Sequence, residues 1–217
     1  MKPVAIPWEG GTVTGRLVGA ADPGRPGVLL AHGAGTNQDH TMIVALRDGL
    51  ASAGFPTLTF NYPYTEAGKK RPDSPTRLLA CHSAAARWFR AEVSPQMVMA
   101  GRSMGGRMAS MLAADGEPCA GLILFSYPLH PAGRPDKLRK DHLPQIKVPV
   151  LSIVGTRDAL ASPELYDEWV RPLPNFETVD IEDGDHSYRV RKASGRSGEQ
   201  ALNEVIEAAV RWLKRLI

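Results

Sequence analysis

Cysteine is nearly absent: Cys81 and Cys119 are the only two in 217 residues, and each falls inside an apolar element. Two buried thiols fit a reducing, cytoplasmic setting better than a disulfide framework. Aromatic residues are few, at 6%. No apolar run approaches the ~20 residues of a membrane span, and the opening Met-Lys-Pro-Val-Ala-Ile-Pro-Trp has no signal-like core. Neither charge sign dominates, since 26 Lys and Arg face 23 Asp and Glu for a net charge of +3. That mild balance gives no basis for nucleic-acid or membrane binding. The six histidines include no pair at ligand spacing on one helix or loop, so no metal is expected. Internal repeats and low-complexity tracts are missing too, and the length suits one domain, residues 1–217, with a full core.

What is present is alternation. Residues 3–20 read as an N-terminal antiparallel edge hairpin turned at Glu9-Gly-Gly11. A Pro- and Gly-rich loop covers 20–27. Val28 to Ala31, Phe55 to Phe60, Gln96 to Ala100, Ala120 to Phe125, Val148 to Val154 and Phe176 to Ile181 read as strands. Between them lie helical stretches at 39–53, 75–91, 104–114 and 163–170, with an amphipathic helix carrying Leu202 to Leu213 at the end. Ser74 and Ser162 stand at N-cap positions with proline following. Residues 126–147 hold four prolines and read as irregular; 189–198 reads as an exposed basic loop. Such alternation predicts an α/β fold, a mostly parallel central sheet with helices on both faces and no substantial cap. In such sheets the ligand site lies at the carboxyl ends of the strands.

One junction organises the rest. Gly101-Arg102-Ser103-Met104-Gly105 sits between a strand and a helix, a G-x-S-x-G pattern. A serine on so tight a turn needs neighbours without Cβ, and its hydroxyl is raised at a helix N-terminus, where negative charge is favoured. The motif alone also marks plain small-residue turns, so partners are required. A nucleophilic serine needs a base, and the base an orienting acid, in the chain order Ser, acid, His. Asp158 follows one later strand and His186 the next. Asp158 has a second reading as a helix cap and His186 as a surface-loop residue. Asp183 and Asp185 lie too close in sequence to His186 to orient it.

Together these segments resemble the α/β-hydrolases. They are most similar to the small capless dienelactone-hydrolase-like group, itself similar to the hydrolase-like domain of a subunit of the NSL chromatin complex. The matching residues are Ala31-His-Gly-Ala-Gly35, Gly101-Arg-Ser-Met-Gly-Gly106, Gly155-Thr-Arg-Asp158 and Gly184-Asp-His186. The resemblance implies a serine hydrolase cleaving small carboxylic esters or thioesters through Ser103, His186 and Asp158, without a cofactor. It implies an oxyanion hole from the backbone N–H groups of Ala34 and Met104. Dienelactone hydrolases proper carry cysteine where Ser103 stands, which argues against dienelactone as substrate. The alternatives are acyl transfer or peptidase activity on the same triad, and a non-catalytic scaffold for protein binding.

With no cap, the site is expected to be shallow and open to a small acyl substrate. Tyr62, Tyr64 and Tyr127 stand at strand ends as pocket candidates, with loop packing as the other reading. Arg102, beside the serine, is a candidate contact for an anionic substrate group or a partner of a carboxylate. His32 and His40 read as structural. A monomer is expected, or a homodimer paired through the edge hairpin.

Overall fold

The computed structural model describes every residue except Ala21 and Pro23, so those two positions of the loop expected at 20–27 lie outside the described residues. The chain forms β1 (Lys2–Trp8), β2 (Gly11–Val18), β3 (Gly27–Ala31), α1 (Thr41–Ser52), β4 (Thr57–Phe60), α2 (Pro63–Glu66), α3 (Pro75–Glu92), β5 (Met97–Arg102), α4 (Met104–Ala114), β6 (Gly121–Phe125), β7 (Val150–Gly155), α5 (Pro163–Trp169), β8 (Phe176–Ile181) and α6 (Gly198–Leu213). The eight strands build one sheet in the order β1-β2-β4-β3-β5-β6-β7-β8. β2 runs antiparallel to both β1 and β4, and every other pairing is parallel.

Side-chain alternation along the central strands divides the core. Leu29, Met97, Met99, Leu122 and Leu124 face one layer, with Leu78, Cys81, Ala85 and Phe89 of α3 and Met108 and Leu112 of α4. Val28, Leu30, Val98, Ile123 and Phe125 face the other, with Ile43, Leu46 and Leu50 of α1 and Val205, Ala209 and Leu213 of α6. This two-sided burial is what the continuous apolar strands imply. Both thiols are free, and burial pushes them up, Cys81 to about 12 and Cys119 to about 11.

Boundaries move for local reasons. β4 begins at Thr57 rather than Phe55 because Pro56 has no N–H; its carbonyl still accepts from Val28 at 2.8 Å. Pro149 displaces the start of β7 in the same way, its carbonyl accepting from Leu122 at 3.0 Å. His40, read as structural, caps α1 by accepting from the Met42 N–H at 3.3 Å. Three short elements were not expected: α2, with Pro63 in its first turn, and two 3₁₀ turns, Leu143–Gln145 within the irregular excursion and Lys192–Ser194 within the basic loop. Among the described residues, no helix is long and apolar enough to cross a membrane.

Candidate active site

Ser103 stands between β5 and α4 with φ 50° and ψ −113°, a conformation L-residues adopt only against steric strain. Its surroundings impose it. The Ser103 N–H donates to Phe125 O at 2.9 Å, and its carbonyl accepts from Arg107 N–H at 3.0 Å. The flanking glycines leave no space. A Cβ on Gly101 would lie 2.3 Å from the Gly105 carbonyl carbon, and one on Gly105 would lie 2.5 Å from Ala31 O. Both contacts are backbone, so β3, β5 and α4 converge at a distance only glycine permits.

Two further loops reach this point. After β7, the Asp158 N–H donates to Gly155 O at 3.0 Å, and Arg157 N–H donates to Gly184 O at 2.8 Å. After β8, the Asp183 N–H donates to Thr156 Oγ1 at 2.9 Å. A Cβ on Gly155 would fall 2.2 Å from Gly184 O, so the two loops touch through backbone. His186 is thereby set between the other two groups. Its Nε2 lies 2.9 Å from Ser103 Oγ, and its Nδ1 lies 2.9 and 2.8 Å from the two carboxylate oxygens of Asp158. Asp158 is buried, and its Oδ1 also accepts from the Leu160 N–H at 2.8 Å. The capping-type bond and the histidine contact therefore coexist on one carboxylate. Asp183 turns instead to Arg191, and Asp185 accepts from the N–H groups of Ser187 and Arg189.

Ser103 opens onto a cleft of about 340 Å³ that is also lined by Ala34 and Met104. Met104 is the first residue of α4, so its N–H has no acceptor within the helix. The turn carrying Ala34 is ordered by His32: its Nδ1–H donates to Gly33 O at 2.9 Å, and its Nε2 accepts from the Tyr62 N–H at 3.3 Å. Burial pushes His32 down to about 4, which keeps it neutral with the proton on Nδ1.

The four remaining candidates are corrected by their placement. Tyr62, Tyr64 and Tyr127 are buried, at 0%, 1% and 1% exposure, and none lines the cleft. They pack loops. Tyr62 shares a 2.9 Å hydrogen bond with His82, Tyr64 donates to Gly33 O at 3.4 Å, and Tyr127 donates to Arg139 O at 2.7 Å. Arg102 likewise points away from the cleft. Its Nη2 donates to Ser187 Oγ at 2.8 Å and His186 O at 3.3 Å, behind the histidine. The walls come from residues not singled out above: Pro128, Pro131, Ala132 and Arg139 of the excursion, Asp73 and Leu78 at the start of α3, and Arg107 and Met108 of α4. Arg107 was detectable, since four residues past Ser103 lies on the same helical face. Arg139 was hidden in a segment without periodicity. Among the described residues, no group of His, Cys, Asp or Glu is arranged to hold a metal ion.

A β1-β2-β4-β3-β5-β6-β7-β8 sheet with serine, acid and histidine on the loops after β5, β7 and β8 is the architecture of the α/β-hydrolases. A family model described as "Alpha/beta hydrolase domain" matches residues 24–214, and the chain belongs to that family. Solved structures agree in fold. Est1E from Butyrivibrio proteoclasticus is 18% identical with a TM-score of 0.79, covering 100% of this chain and 99% of its own. A dienelactone hydrolase from Anabaena variabilis is 22% identical with a TM-score of 0.76, covering 99% and 96%. XC6422 from Xanthomonas campestris, described as an a/b serine hydrolase without lid, is 20% identical with a TM-score of 0.71, covering 97% and 94%.

Proposed function

We propose that the protein is a serine hydrolase of small carboxylic esters or thioesters. The observation that carries this reading is the unbroken line from Asp158 through His186 to Ser103, with contacts of 2.8 and 2.9 Å. Ser103 Oγ attacks the acyl carbon as His186 Nε2 takes its proton. Asp158 holds the ring with Nδ1 protonated and stabilises the imidazolium that forms. His186 then protonates the leaving alcohol or thiol. Water then attacks the acyl carbon as His186 takes its proton, and His186 returns a proton to Ser103 Oγ as the acyl group departs as the carboxylic acid. The N–H groups of Ala34 and Met104 receive the oxyanion, each contributing about 3 kcal/mol in the transition state. The dipole of α4 favours the same charge.

A fluorophosphonate probe tests the reading. Wild-type protein is expected to be labelled at Ser103 near neutral pH and to hydrolyse p-nitrophenyl butyrate, while Ser103→Ala does neither. Folded wild-type protein that resists the probe overturns it.

A further inference from the structure

We propose that the cleft beside Ser103 selects esters or thioesters bearing a second, anionic group, which Arg107 and Arg139 hold. The proposal deepens the hydrolase reading and rests on it for the reaction. Both side chains line the cleft that contains Ser103. Arg107 sits one helical turn beyond the serine and leans back over that turn, as helical side chains do. Arg139 comes from the excursion, where its backbone is pinned at both polar groups. Its N–H donates to Leu129 O at 2.7 Å, and its carbonyl accepts from Tyr127 Oη at 2.7 Å. The guanidinium thus projects from a fixed base.

Among the described residues, neither cation has a counter-ion. Several other arginines of the surface are matched, such as Arg16 with Asp39, Arg171 with Asp167 and Asp180, and Arg191 with Asp183. Among the described residues, no carboxylate pairs with Arg107 or Arg139, and Arg107 Nε is buried without a hydrogen-bond partner. Asp73, the one carboxylate among the lining residues, has its Oδ1 faced by Arg77 at 3.7 Å, while its Oδ2 is buried without a hydrogen-bond partner. Burial and the charge of Arg107 both hold Arg139 below its usual range, and the same two causes hold nearby His142 down. Adjacent, partly desolvated guanidinium groups with no anion of their own are complementary to an oxyanion. Carboxylate and phosphoryl groups both match the guanidinium fork.

The test separates binding from turnover. Calorimetry on the Ser103→Ala protein compares monomethyl glutarate, with one free carboxylate, against dimethyl glutarate, with none. The monoester is expected to bind at least about tenfold tighter. That preference is expected to vanish in Ser103→Ala protein that also carries Arg107→Gln and Arg139→Gln. Arg139→Gln alone covers the case in which the combined variant does not fold, with a smaller preference expected. Competition by acetate and by inorganic phosphate identifies the group. The anion that displaces the monoester at lower concentration names carboxylate or phosphoryl, and either supports an anion site. Equal affinity for the two esters, a preference that survives removal of both arginines, or no displacement by either anion overturns the proposal. Failure of the probe to label Ser103 leaves these binding results standing and removes the hydrolase reading alone.

Discussion

Two buried histidines link the chemistry of single residues to stability. Burial pushes His32 down to about 4 and His82 to about 3, from 6.5 in an exposed ring. The unfolded chain therefore binds protons below pH 6.5 that the folded state refuses. The sign follows: stability from the neutral rings is complete above that pH and is lost as pH falls toward 4 and then 3. Each contributes on the order of a few kcal/mol to the acid sensitivity. His82 shares its 2.9 Å hydrogen bond with Tyr62 and leaves Nε2 buried without a partner. His82→Phe is expected to lower the urea midpoint at pH 7, since the Tyr62 hydroxyl loses its partner. It should also flatten the decline between pH 6.5 and 4, because one proton-binding difference has gone. Urea titrations at several pH values read both, and a slope identical to wild type would contradict the account.

At the scale of elements, the site depends on how three loops are held in contact. β5, β7 and β8 deliver their loops to one edge of the sheet, but the sheet alone does not set a 2.9 Å contact between Ser103 and His186. Arg102 supplies one brace. Its guanidinium reaches from the end of β5 to His186 O and Ser187 Oγ, tying the serine's strand to the histidine's loop. Arg102→Met keeps the length and apolar stem but loses both donors. We expect kcat on p-nitrophenyl butyrate to fall about tenfold, with a smaller change in KM, because a misplaced base impairs the chemical step more than substrate binding. Arg102→Lys should recover part of the loss. Equal losses in kcat for Met and Lys, or a change confined to KM, would exclude the brace.

The same loops show what could be read from the chain beforehand. Strand and helix order was legible because apolar runs and amphipathic periods are local. Ser103, Asp158 and His186 were legible as candidates because each directly follows a strand. The tyrosines were misplaced for a physical reason. A tyrosine at a strand end reads as a site residue, yet Tyr62 caps and Tyr64 lies in the unexpected turn α2, and both rings pack against His32 of the loop that carries Ala34. Arg102 was sent to the cleft by adjacency, whereas neighbouring residues at a strand-to-helix turn diverge. The cleft walls were least legible, because Arg139 is held by bonds to Leu129 and Tyr127, across a segment with no periodic pattern to record them.

For the whole molecule, the question is whether anything covers the site. The excursion at 126–147 forms one wall, and it is anchored rather than hinged. Tyr127 donates to Arg139 O at 2.7 Å, His142 Nε2 lies 2.8 Å from Ser110 Oγ on α4, and the His130 N–H donates to Leu160 O at 3.3 Å beside the Asp158 turn. Leu129 and Leu143 bury the segment into the same core layer as α3 and α4. Opening it would break these bonds and expose that core, at a cost the sheet does not offset. With this wall pinned in place, the excursion is no lid that a lipid surface could lift. The enzyme should therefore follow simple saturation on soluble esters and show no jump in rate as a substrate passes its micellar concentration. Rates on p-nitrophenyl esters of two to twelve acyl carbons should be greatest among the shorter chains, since about 340 Å³ beside Ser103 limits the acyl group it can enclose. A rate-versus-concentration series across the micellar transition checks this, and a sharp rise there would mean that the proline-rich wall moves after all.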